Sequence, residues 1–459
     1  MFEKSTYIER RARLRELMQG GGVVVIPANM NVPNSYPNNH YYFRQDSSFR
    51  YFFGLNSPAL VGVVDLDSGE DILYGDDPTL DDLIWTGALP TTMEQAERCG
   101  VSKSERLQQL HAKLRGRKVH ILPPYRGEAK LQLADILGEN YQQYISADLI
   151  FAIAELREVK SDEEIEEMEQ AYKIGYDMHT TAMRLTRPGR VEREVVGVLD
   201  GIARTQGGGV SFPTIYTQHG EILHNIFQDG VLQSGRLALC DAGAENLSGY
   251  CSDHTRTYPV NGRFSGVQRD IYNIVLAAHC RVAEQACEGM LYLDLHAVAY
   301  RALAEGLRDF GLLRGSVDEI VESGAVRLFM PHGTSHGLGL DVHDCEAFGE
   351  RSFSFDEYKE RAAQSKTCIF RDTWTLRKGA VITNEPGVYF IRPLIEKSQR
   401  EGLHSAVVDY DKALSMCGFG GIRIEDDLLI TESGARQIGA ANPIPKSVEE
   451  IEKFMEESR

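Results

Sequence analysis

The pattern of apolar and polar positions divides the chain into two parts. In the first part, runs rich in β-branched residues and bounded by turn residues predict buried strands: GGVVVIPA (Gly21 to Ala28), ALVGVVDLD (Ala59 to Asp67) and KVHILPP (Lys118 to Pro124). Stretches between them, such as Lys103 to Leu114, have the pattern of helices. This alternation predicts an α/β domain over residues 1–157.

The pattern changes at Ser161. Ser161 and Glu164 have the spacing of a capping box, and apolar residues follow at helical spacing from Ile165 to Met178. This predicts a long helix that opens a second domain over residues 158–459. The acidic run DEEIEEMEQ is interpreted as a solvated first turn, where the helix dipole favours negative charge.

The pattern of the second domain predicts an α+β arrangement. LALCDAGA (Leu237 to Ala244) and YCSDHTRTYPV (Tyr250 to Val260) are predicted to form a hairpin across the polar turn ENLSG. GAVITNEPGVYF and GGIRIEDDLLIT predict two further strands, each interrupted by a carboxylate where an apolar residue is expected. Helical patterns from Val267 to Met290 and from Leu293 to Phe310 are predicted to cover the sheet.

Composition and charge exclude several classes of protein. A length of 459 residues indicates two or three domains, and 42% apolar with 25% charged residues is ordinary for a globular protein. The net charge of -18, without a dense Lys/Arg run, argues against a nucleic-acid partner. No segment has the length of a membrane span, and the N-terminal residues lack the apolar core of a signal peptide. The cysteines are scattered without a C-x-x-C pair, so we predict a cytoplasmic protein.

The predicted hairpin carries two carboxylates on faces that should be apolar. Asp241 shares a strand face with Leu237 and Leu239, because side chains alternate along a strand. A buried carboxylate is costly unless it is paired or bound to a metal. Pairing of the two strands is expected to bring Asp253 beside Asp241, and two converging carboxylates repel each other unless a cation lies between them.

The last two predicted strands each add a carboxylate. In GIRIEDD, Arg423 and Glu425 point to the side opposite the isoleucines, toward a polar cavity. Glu385 ends the strand ITNE, and the Pro386–Gly387 turn that follows fixes its direction. Each carboxylate taken alone is also explained as an ordinary acceptor in a turn.

The stretch PHGTSHGLGLDVHD (Pro331 to Asp344) supplies histidines in a glycine-rich loop. Its glycines disfavour a helix, and no glutamate follows His332, so a thermolysin-like zinc helix is not expected. One histidine of this loop is predicted to add a nitrogen to a site built of oxygens. Four carboxylates and one imidazole suit Mn²⁺, Co²⁺ or Fe²⁺ better than a closed structural zinc, and so much negative charge favours two ions.

Five ordered motifs, LCDAGA, SDHTRTYPV, HGTSHGLGLDVHD, TNEPGVYF and GGIRIEDD, resemble those of the pita-bread metallopeptidases, in the branch that contains aminopeptidase P and prolidase. Residues His40 to Gly69 are similar to the N-terminal strand region of that branch. The resemblance implies a pita-bread catalytic domain of the creatinase and methionine aminopeptidase fold, preceded by a smaller α/β creatinase-like domain.

The resemblance also implies roles for individual residues. Two divalent metal ions, most commonly Mn²⁺ with Co, Fe or Zn as alternatives, would be held by Asp241, Asp253, His336, Glu385 and Glu425. The catalytic residues would be His224, His343 and Glu385. The substrate-binding residues would be His332, Arg423, Tyr389 and Arg371.

Two positions depart from the usual pattern of the family. TQHGEILHN replaces the usual element before His224, with Asn225 where a tyrosine is frequent. Asn384 replaces the apolar residue that commonly precedes the metal-binding glutamate. Asn225 affects the expected geometry of the loop around His224, whereas Asn384 is expected to form a nearby hydrogen bond without removing a ligand.

The implied activity is hydrolysis of the peptide bond between an N-terminal residue and a following proline, as in an Xaa-Pro aminopeptidase acting on proline-containing peptides. The alternative is an Xaa-Pro dipeptidase: the long segment between Glu385 and Glu425 resembles prolidases, and Arg371 resembles an arginine that binds a dipeptide carboxylate. More distant alternatives are a non-catalytic binding module and a metal-free hydrolase of small guanidino compounds. The resemblance also implies a homodimer or homotetramer.

Overall fold

The computed structural model describes residues 2–348 and 375–458. These residues form two compact units, and the chain passes from the first to the second between Arg157 and Glu158. Residues 345–348 belong to the first unit. Among the helices of the described residues, none has both the length and the apolar character needed to cross a membrane.

The first unit is built on a five-stranded mixed sheet with the order β4-β3-β2-β1-β5. Neighbours β1–β2 and β2–β3 are antiparallel, whereas β1–β5 and β3–β4 are parallel. The strands are β1 (Val23–Pro27), β2 (Val61–Asp65), β3 (Asp71–Tyr74), β4 (Ser104–Glu105) and β5 (Val119–His120). The three strands predicted in this part of the sequence are therefore confirmed as β1, β2 and a shorter β5.

The first unit also contains helices. They are α1 (Lys4–Leu17), α2 (Ser47–Phe53), α3 (Leu80–Thr86), α4 (Thr92–Arg98), α5 (Leu110–Leu114), α6 (Gly127–Leu137) and α7 (Ala147–Glu158). Of these, α5 and α6 pack apolar residues against the sheet. The prediction of one helix from Lys103 to Leu114 is wrong in its first half, because Ser104 and Glu105 pair with the end of β3. Pairing with a distant strand therefore overrides the local helical pattern there.

The second unit contains the predicted long helix. Its helices are α8 (Asp162–Leu185), α9 (Glu192–Gln206), α10 (Gly266–Gln285), α11 (Tyr292–Asp309), α12 (Val317–Ser323), α13 (Arg392–Arg400), α14 (Tyr410–Ser415) and α15 (Val448–Glu457). The capping box of α8 is confirmed: Ser161 Oγ accepts from the Glu164 amide at 3.3 Å, and Glu164 Oε2 accepts from the Ser161 amide at 3.0 Å.

The interpretation of the acidic run as a solvated turn is wrong for Glu164. Its side chain is buried, and Oε1 accepts a hydrogen bond from the Tyr250 hydroxyl at 2.7 Å. Glu169, later in the same run, binds Arg436 at 2.6 Å. The run therefore attaches the start of α8 to other parts of the unit.

The strands of the second unit are short and, in every sheet of the described residues, antiparallel. The sheets have the orders β10-β8-β7, β11-β14-β15, β12-β13 and β6-β9. The strands are β6 (Gly209–Val210), β7 (Ile215–Thr217), β8 (Leu237–Ala242), β9 (Ala244–Glu245), β10 (His254–Pro259), β11 (Val381–Asn384), β12 (Gly387–Tyr389), β13 (Gly421–Arg423), β14 (Asp426–Thr431) and β15 (Gly434–Gln437).

Each of the two interrupted strand sequences forms two strands in the structure. The first breaks at Glu385, between β11 and β12, and the second breaks at Glu425, between β13 and β14. Because β11 pairs with β14 and β12 with β13, the two breaks lie opposite each other. The carboxylates predicted to interrupt the strands therefore lie at one gap between two sheets.

An apolar core supports these strands from one side. It joins Val282 of α10 and Leu295 of α11 to Ile382 of β11 and Leu428 of β14, all buried. The predicted covering of the sheet by two helices is thereby confirmed, with α10 ending at Gln285 rather than Met290. Rigid packing behind the strands fixes the backbone from which the carboxylates project.

Candidate active site

The hairpin between β8 and β10 carries the first two carboxylates. The strands pair antiparallel, with Thr255 opposite Asp241 and His254 opposite Ala242. Asp253 precedes β10, and both aspartates are buried. Burial raises the pKa of Asp253 well above its ordinary value, and the negative charge of Asp241 raises it further.

The gap between the split strands carries the other two carboxylates. The Glu385 amide donates to the Thr334 carbonyl at 2.8 Å, and the Glu425 amide donates to the Thr255 carbonyl at 3.0 Å. Burial raises the pKa of Glu385 and raises that of Glu425 well above its ordinary value. For Glu425, the charges of Asp253, Glu385 and Asp241 add to the effect of burial.

His336 brings a nitrogen to these carboxylates. Its Nε2 lies 3.5 Å from Asp253 Oδ2 and 3.7 Å from Glu385 Oε1. Its Nδ1 lies 3.1 Å from the Gly337 carbonyl, so a proton on Nδ1 leaves Nε2 as the free ligand atom. Asp253, His336 and Glu425 each offer one ligand atom within 4.8 Å of the others.

The chemistry of this donor set fits divalent cations. The set comprises three buried carboxylates, the partly buried Glu385 and one imidazole, and Asp241 Oδ1 is buried without a hydrogen-bond partner among the described residues. Raised pKa values show that the negative charges are incompletely compensated by the protein itself. Oxygen-rich sets with one nitrogen suit metals such as Mn²⁺, Co²⁺ and Fe²⁺.

Arg423 donates hydrogen bonds to a carboxylate of the cluster and to two neighbouring hydroxyl groups. Its Nη2 donates to Asp241 Oδ2 at 2.6 Å, its Nε to Thr255 Oγ1 at 3.1 Å and its Nη1 to the Tyr389 hydroxyl at 2.9 Å. Thr255 Oγ1 in turn donates to Glu425 Oε2 at 2.6 Å. One guanidinium therefore orients Asp241 directly and Glu425 through a threonine hydroxyl.

Tyr389 and His332 complete the surroundings of Glu385. His332 Nε2 lies 2.8 Å from the Tyr389 hydroxyl, and its Nδ1 lies 3.6 Å from Glu385 Oε2. The Tyr389 side chain is fully buried, which raises its pKa to about 12. Its part in lining a proline pocket stays a prediction, while its observed contacts hold His332 and Arg423.

The remaining predicted residues differ in their placement. The His343 ring stacks on the His336 ring, with centroids 3.7 Å apart and planes at 13°. The exposed His224 lies on the segment that follows β7, the strand in which Ile215 pairs with Asp241. Arg371 lies outside the described residues.

The two unusual asparagines are both hydrogen-bonded. Asn225 Nδ2 donates to Thr217 Oγ1 at 2.9 Å, so the residue after His224 is anchored to β7. Asn384 Nδ2 donates to the His279 carbonyl at 2.9 Å, as expected, and Glu385 still faces the cluster. Neither departure removes a candidate ligand.

Two supporting residues were absent from the sequence-based prediction. Thr255 contacts Glu425, and Thr383 Oγ1 accepts from the His336 amide at 3.1 Å. A signal existed for Thr255, since it shares a strand face with Asp253 and Thr257. No signal distinguished Thr383 from any other strand threonine.

Carboxylates, an imidazole and an arginine that orients two of the carboxylates are the groups expected of a metal-dependent hydrolytic enzyme. Residues 166–432 match the model of metallopeptidase family M24, and residues 7–120 match that of the aminopeptidase P N-terminal domain. The chain therefore belongs to metallopeptidase family M24.

Relatives and solved structures match over nearly the whole chain. Xaa-Pro aminopeptidase of Escherichia coli (strain K12) is 32% identical over 99% of this chain and 98% of its own length. Xaa-Pro dipeptidase of Homo sapiens is 29% identical over 97% and 91%. A structure of a variant of E. coli aminopeptidase P superposes with a TM-score of 0.81 at 31% identity, covering 100% and 99% of the two chains. The expected fold, a catalytic domain after a smaller N-terminal domain, is confirmed.

Proposed function

We propose that the protein is an Xaa-Pro aminopeptidase, which hydrolyses the bond between an N-terminal residue and a following proline. The observation that carries this proposal is the match to E. coli Xaa-Pro aminopeptidase over almost the full length of both chains, at 32% identity. The convergence of the candidate ligands supports it. A non-catalytic module is not favoured, because all five candidate ligand positions carry a carboxylate or an imidazole.

In this proposal, two divalent ions, most often Mn²⁺, would be held by Asp241, Asp253, His336, Glu385 and Glu425. When bound, such ions lower the pKa of water and polarise the scissile carbonyl. The protein's part is to orient the ligands: Arg423 hydrogen-bonds to Asp241, and Thr255 hydrogen-bonds to Glu425. These hydrogen bonds orient Asp241 and Glu425 in the absence of an ion.

Proton transfer is assigned to Glu385, whose side chain is 17% exposed, against 11% for Asp241 and 7% for Asp253. Its carboxylate takes a proton from the attacking water and delivers it to the leaving proline nitrogen. His343, stacked on His336, and His224 donate to the substrate carbonyl oxygen as negative charge develops there. His332, Arg423 and Tyr389 are proposed to shape the pocket that selects the proline ring, with the partly exposed His332 nearest to the substrate and the buried Arg423 and Tyr389 behind it.

A dipeptidase is the second candidate. The Homo sapiens Xaa-Pro dipeptidase matches nearly as well, and the long segment between Glu385 and Glu425 contains α13 and α14. In that case, Arg371 would bind the free carboxylate of the dipeptide by two parallel hydrogen bonds.

Substrate length separates the two candidates. Steady-state rates with Mn²⁺ on Ala-Pro and on Ala-Pro-Ala-Ala should show cleavage of both, with the tetrapeptide cut after its first residue. Cleavage of the dipeptide alone would instead identify a dipeptidase. Arg371→Ala would then reduce turnover of Ala-Pro selectively, whereas Arg377→Ala serves as a control nearby in sequence. Failure to cut either peptide would refute the Xaa-Pro activity.

Assembly and location are further parts of the proposal. We propose a homodimer or homotetramer, which light scattering coupled to size-exclusion chromatography measures directly. A cytoplasmic location is supported by the cysteines of the described residues, all of which are free thiols.

A further inference from the structure

Residues 218–230, which include His224, form a loop that we call the rim loop. A single buried carboxylate, that of Glu192, binds both ends of this loop. Glu192, the first residue of α9, is 2% exposed. Its Oε1 accepts from the Gln218 amide at 2.9 Å and its Oε2 accepts from the Gly230 amide at 3.1 Å. The two oxygens of one side chain therefore bind the two ends of the rim loop.

The bonding of Glu192 is unusual for a buried carboxylate. Among the described residues it forms no salt bridge, so backbone amides of the rim loop supply its compensating hydrogen bonds. Hydrogen bonds to an ionised acceptor are stronger than neutral ones. The backbone adds to the attachment, because the Glu192 amide donates to the Gly230 carbonyl and the Arg193 amide to the Gln228 carbonyl, both at 2.9 Å.

The rim loop is also fixed on the side of the active site. Gly220 lies against Gly421, the first residue of β13, so closely that a Cβ on Gly220 would lie 2.6 Å from the Gly421 carbonyl oxygen. The strand that begins there carries Arg423, which binds Asp241. Between these attachments, Asn225 binds Thr217. His224 therefore lies on a loop that Glu192 holds at both ends. Asn225 attaches the middle of this loop to Thr217, and Gly220 packs against β13.

We infer that Glu192 is a positioning residue, which holds the rim loop so that His224 meets the substrate carbonyl. The inference deepens the proposed function and rests on it. Misplacement of a substrate-contacting group by about 1 Å can reduce the rate about 100-fold. A change in the contacts that hold the two ends of such a loop is therefore expected to reduce activity. No contact between Glu192 and the substrate is required.

Glu192→Gln tests this role. The amide oxygen of glutamine accepts one backbone N–H, but its NH₂ group faces the other N–H and repels it. We expect kcat/KM for Ala-Pro-Ala-Ala with Mn²⁺ to fall about 10- to 100-fold, with the bound metal content unchanged. Glu194→Gln, on the same helix but exposed, is the matched control and should retain the wild-type value. Glu192→Asp, which keeps the charge on a shorter side chain, provides a second variant.

Hydrogen–deuterium exchange tests the holding role without any assay of activity. In Glu192→Gln, the amides of residues 218–230 should exchange faster, while those of α10 keep their protection. Unchanged exchange in the rim loop, in either Glu192 variant, would overturn the inference. An inactive wild-type enzyme would refute the proposed function, whereas the exchange result would still show whether Glu192 holds the loop.

A double-mutant cycle shows whether the effect passes through His224. If it does, Glu192→Gln should cause no further loss in a His224→Ala background, because both changes remove the same interaction. Equal losses in the two backgrounds would show that Glu192 acts elsewhere and would contradict the inference.

Discussion

Thr255 shows how one hydroxyl group controls two charged side chains. Its Oγ1 donates to Glu425 at 2.6 Å and accepts from Arg423 at 3.1 Å. Thr257, two residues later in β10, uses its hydroxyl differently: it donates to the Arg423 carbonyl at 3.1 Å, accepts from the Arg423 amide at 3.2 Å and, among the described residues, hydrogen-bonds to no carboxylate. The two threonines therefore provide a comparison between orienting a candidate ligand and supporting a strand.

Replacement of Thr255 by valine should weaken metal binding. The change keeps the shape of the side chain but removes the hydrogen bond that orients Glu425, and loss of such a partner typically costs 10- to 100-fold in metal affinity or activity. Titration of the metal-free protein with Mn²⁺ in a calorimeter measures this directly. Thr257→Val should leave the affinity nearly unchanged, and equal losses in both variants would argue against a role specific to Thr255.

The glycine-rich loop from Pro331 to Asp344 is the element that brings His336 and His343 together. Asp344 stabilises it, since its Oδ1 accepts from the Asp341 amide at 3.2 Å and its Oδ2 lies 3.3 Å from Lys160 Nζ. The side chains of Lys160 and Asp344 are only 3% and 5% exposed. Asp344, which is not a candidate ligand, therefore stabilises the conformation of the loop.

Removal of the lysine charge should destabilise the protein. In Lys160→Met, the Asp344 carboxylate stays buried without this cation, and breaking a buried pair costs about 3–5 kcal/mol. Urea unfolding measures the change, and the double variant with Asp344→Asn should recover part of it. Lys378→Met removes an exposed pair with Glu432 and should have little effect. A loss no greater than that of this control would show that the buried pair is unimportant.

Sequence patterns predicted some elements well and others poorly. The capping box placed the start of α8 correctly, because its signal lies within four consecutive residues. The helix expected at Lys103 was wrong at its start, since β4 forms only through pairing with β3. The breaks at Glu385 and Glu425 were visible as polar interruptions, but their alignment across the sheets depends on strand pairing.

At the scale of the whole molecule, the carboxylate cluster couples metal binding to pH. Burial and mutual repulsion raise the pKa values of Asp253, Glu385 and Glu425 in the metal-free protein. The folded state therefore retains protons that the unfolded chain has already lost. By linkage, these groups make the metal-free protein less stable as pH rises from the ordinary carboxyl range through their raised pKa values.

The stabilisation by Mn²⁺ should accordingly increase with pH. Metal ions replace the retained protons, so the difference in Tm between Mn²⁺-loaded and EDTA-treated protein should grow from pH 5 to pH 8. A saturating ion at 100 times its Kd contributes about 2.7 kcal/mol. Differential scanning fluorimetry measures both forms at each pH. A Tm difference independent of pH would contradict the linkage, and Glu385→Gln, which removes one of the titrating groups, should reduce the slope.

The sequence by itself identified the candidate residues for the chemistry: carboxylates in apolar strands and a histidine among glycines are local signals, and the motifs that contain them identified the family. Only the tertiary structure decided how these residues are supported. Glu164 proved to be buried, Thr255 to orient Glu425, and Glu192 to hold the rim loop, because burial and hydrogen bonding between segments distant in sequence leave no periodic trace along the chain.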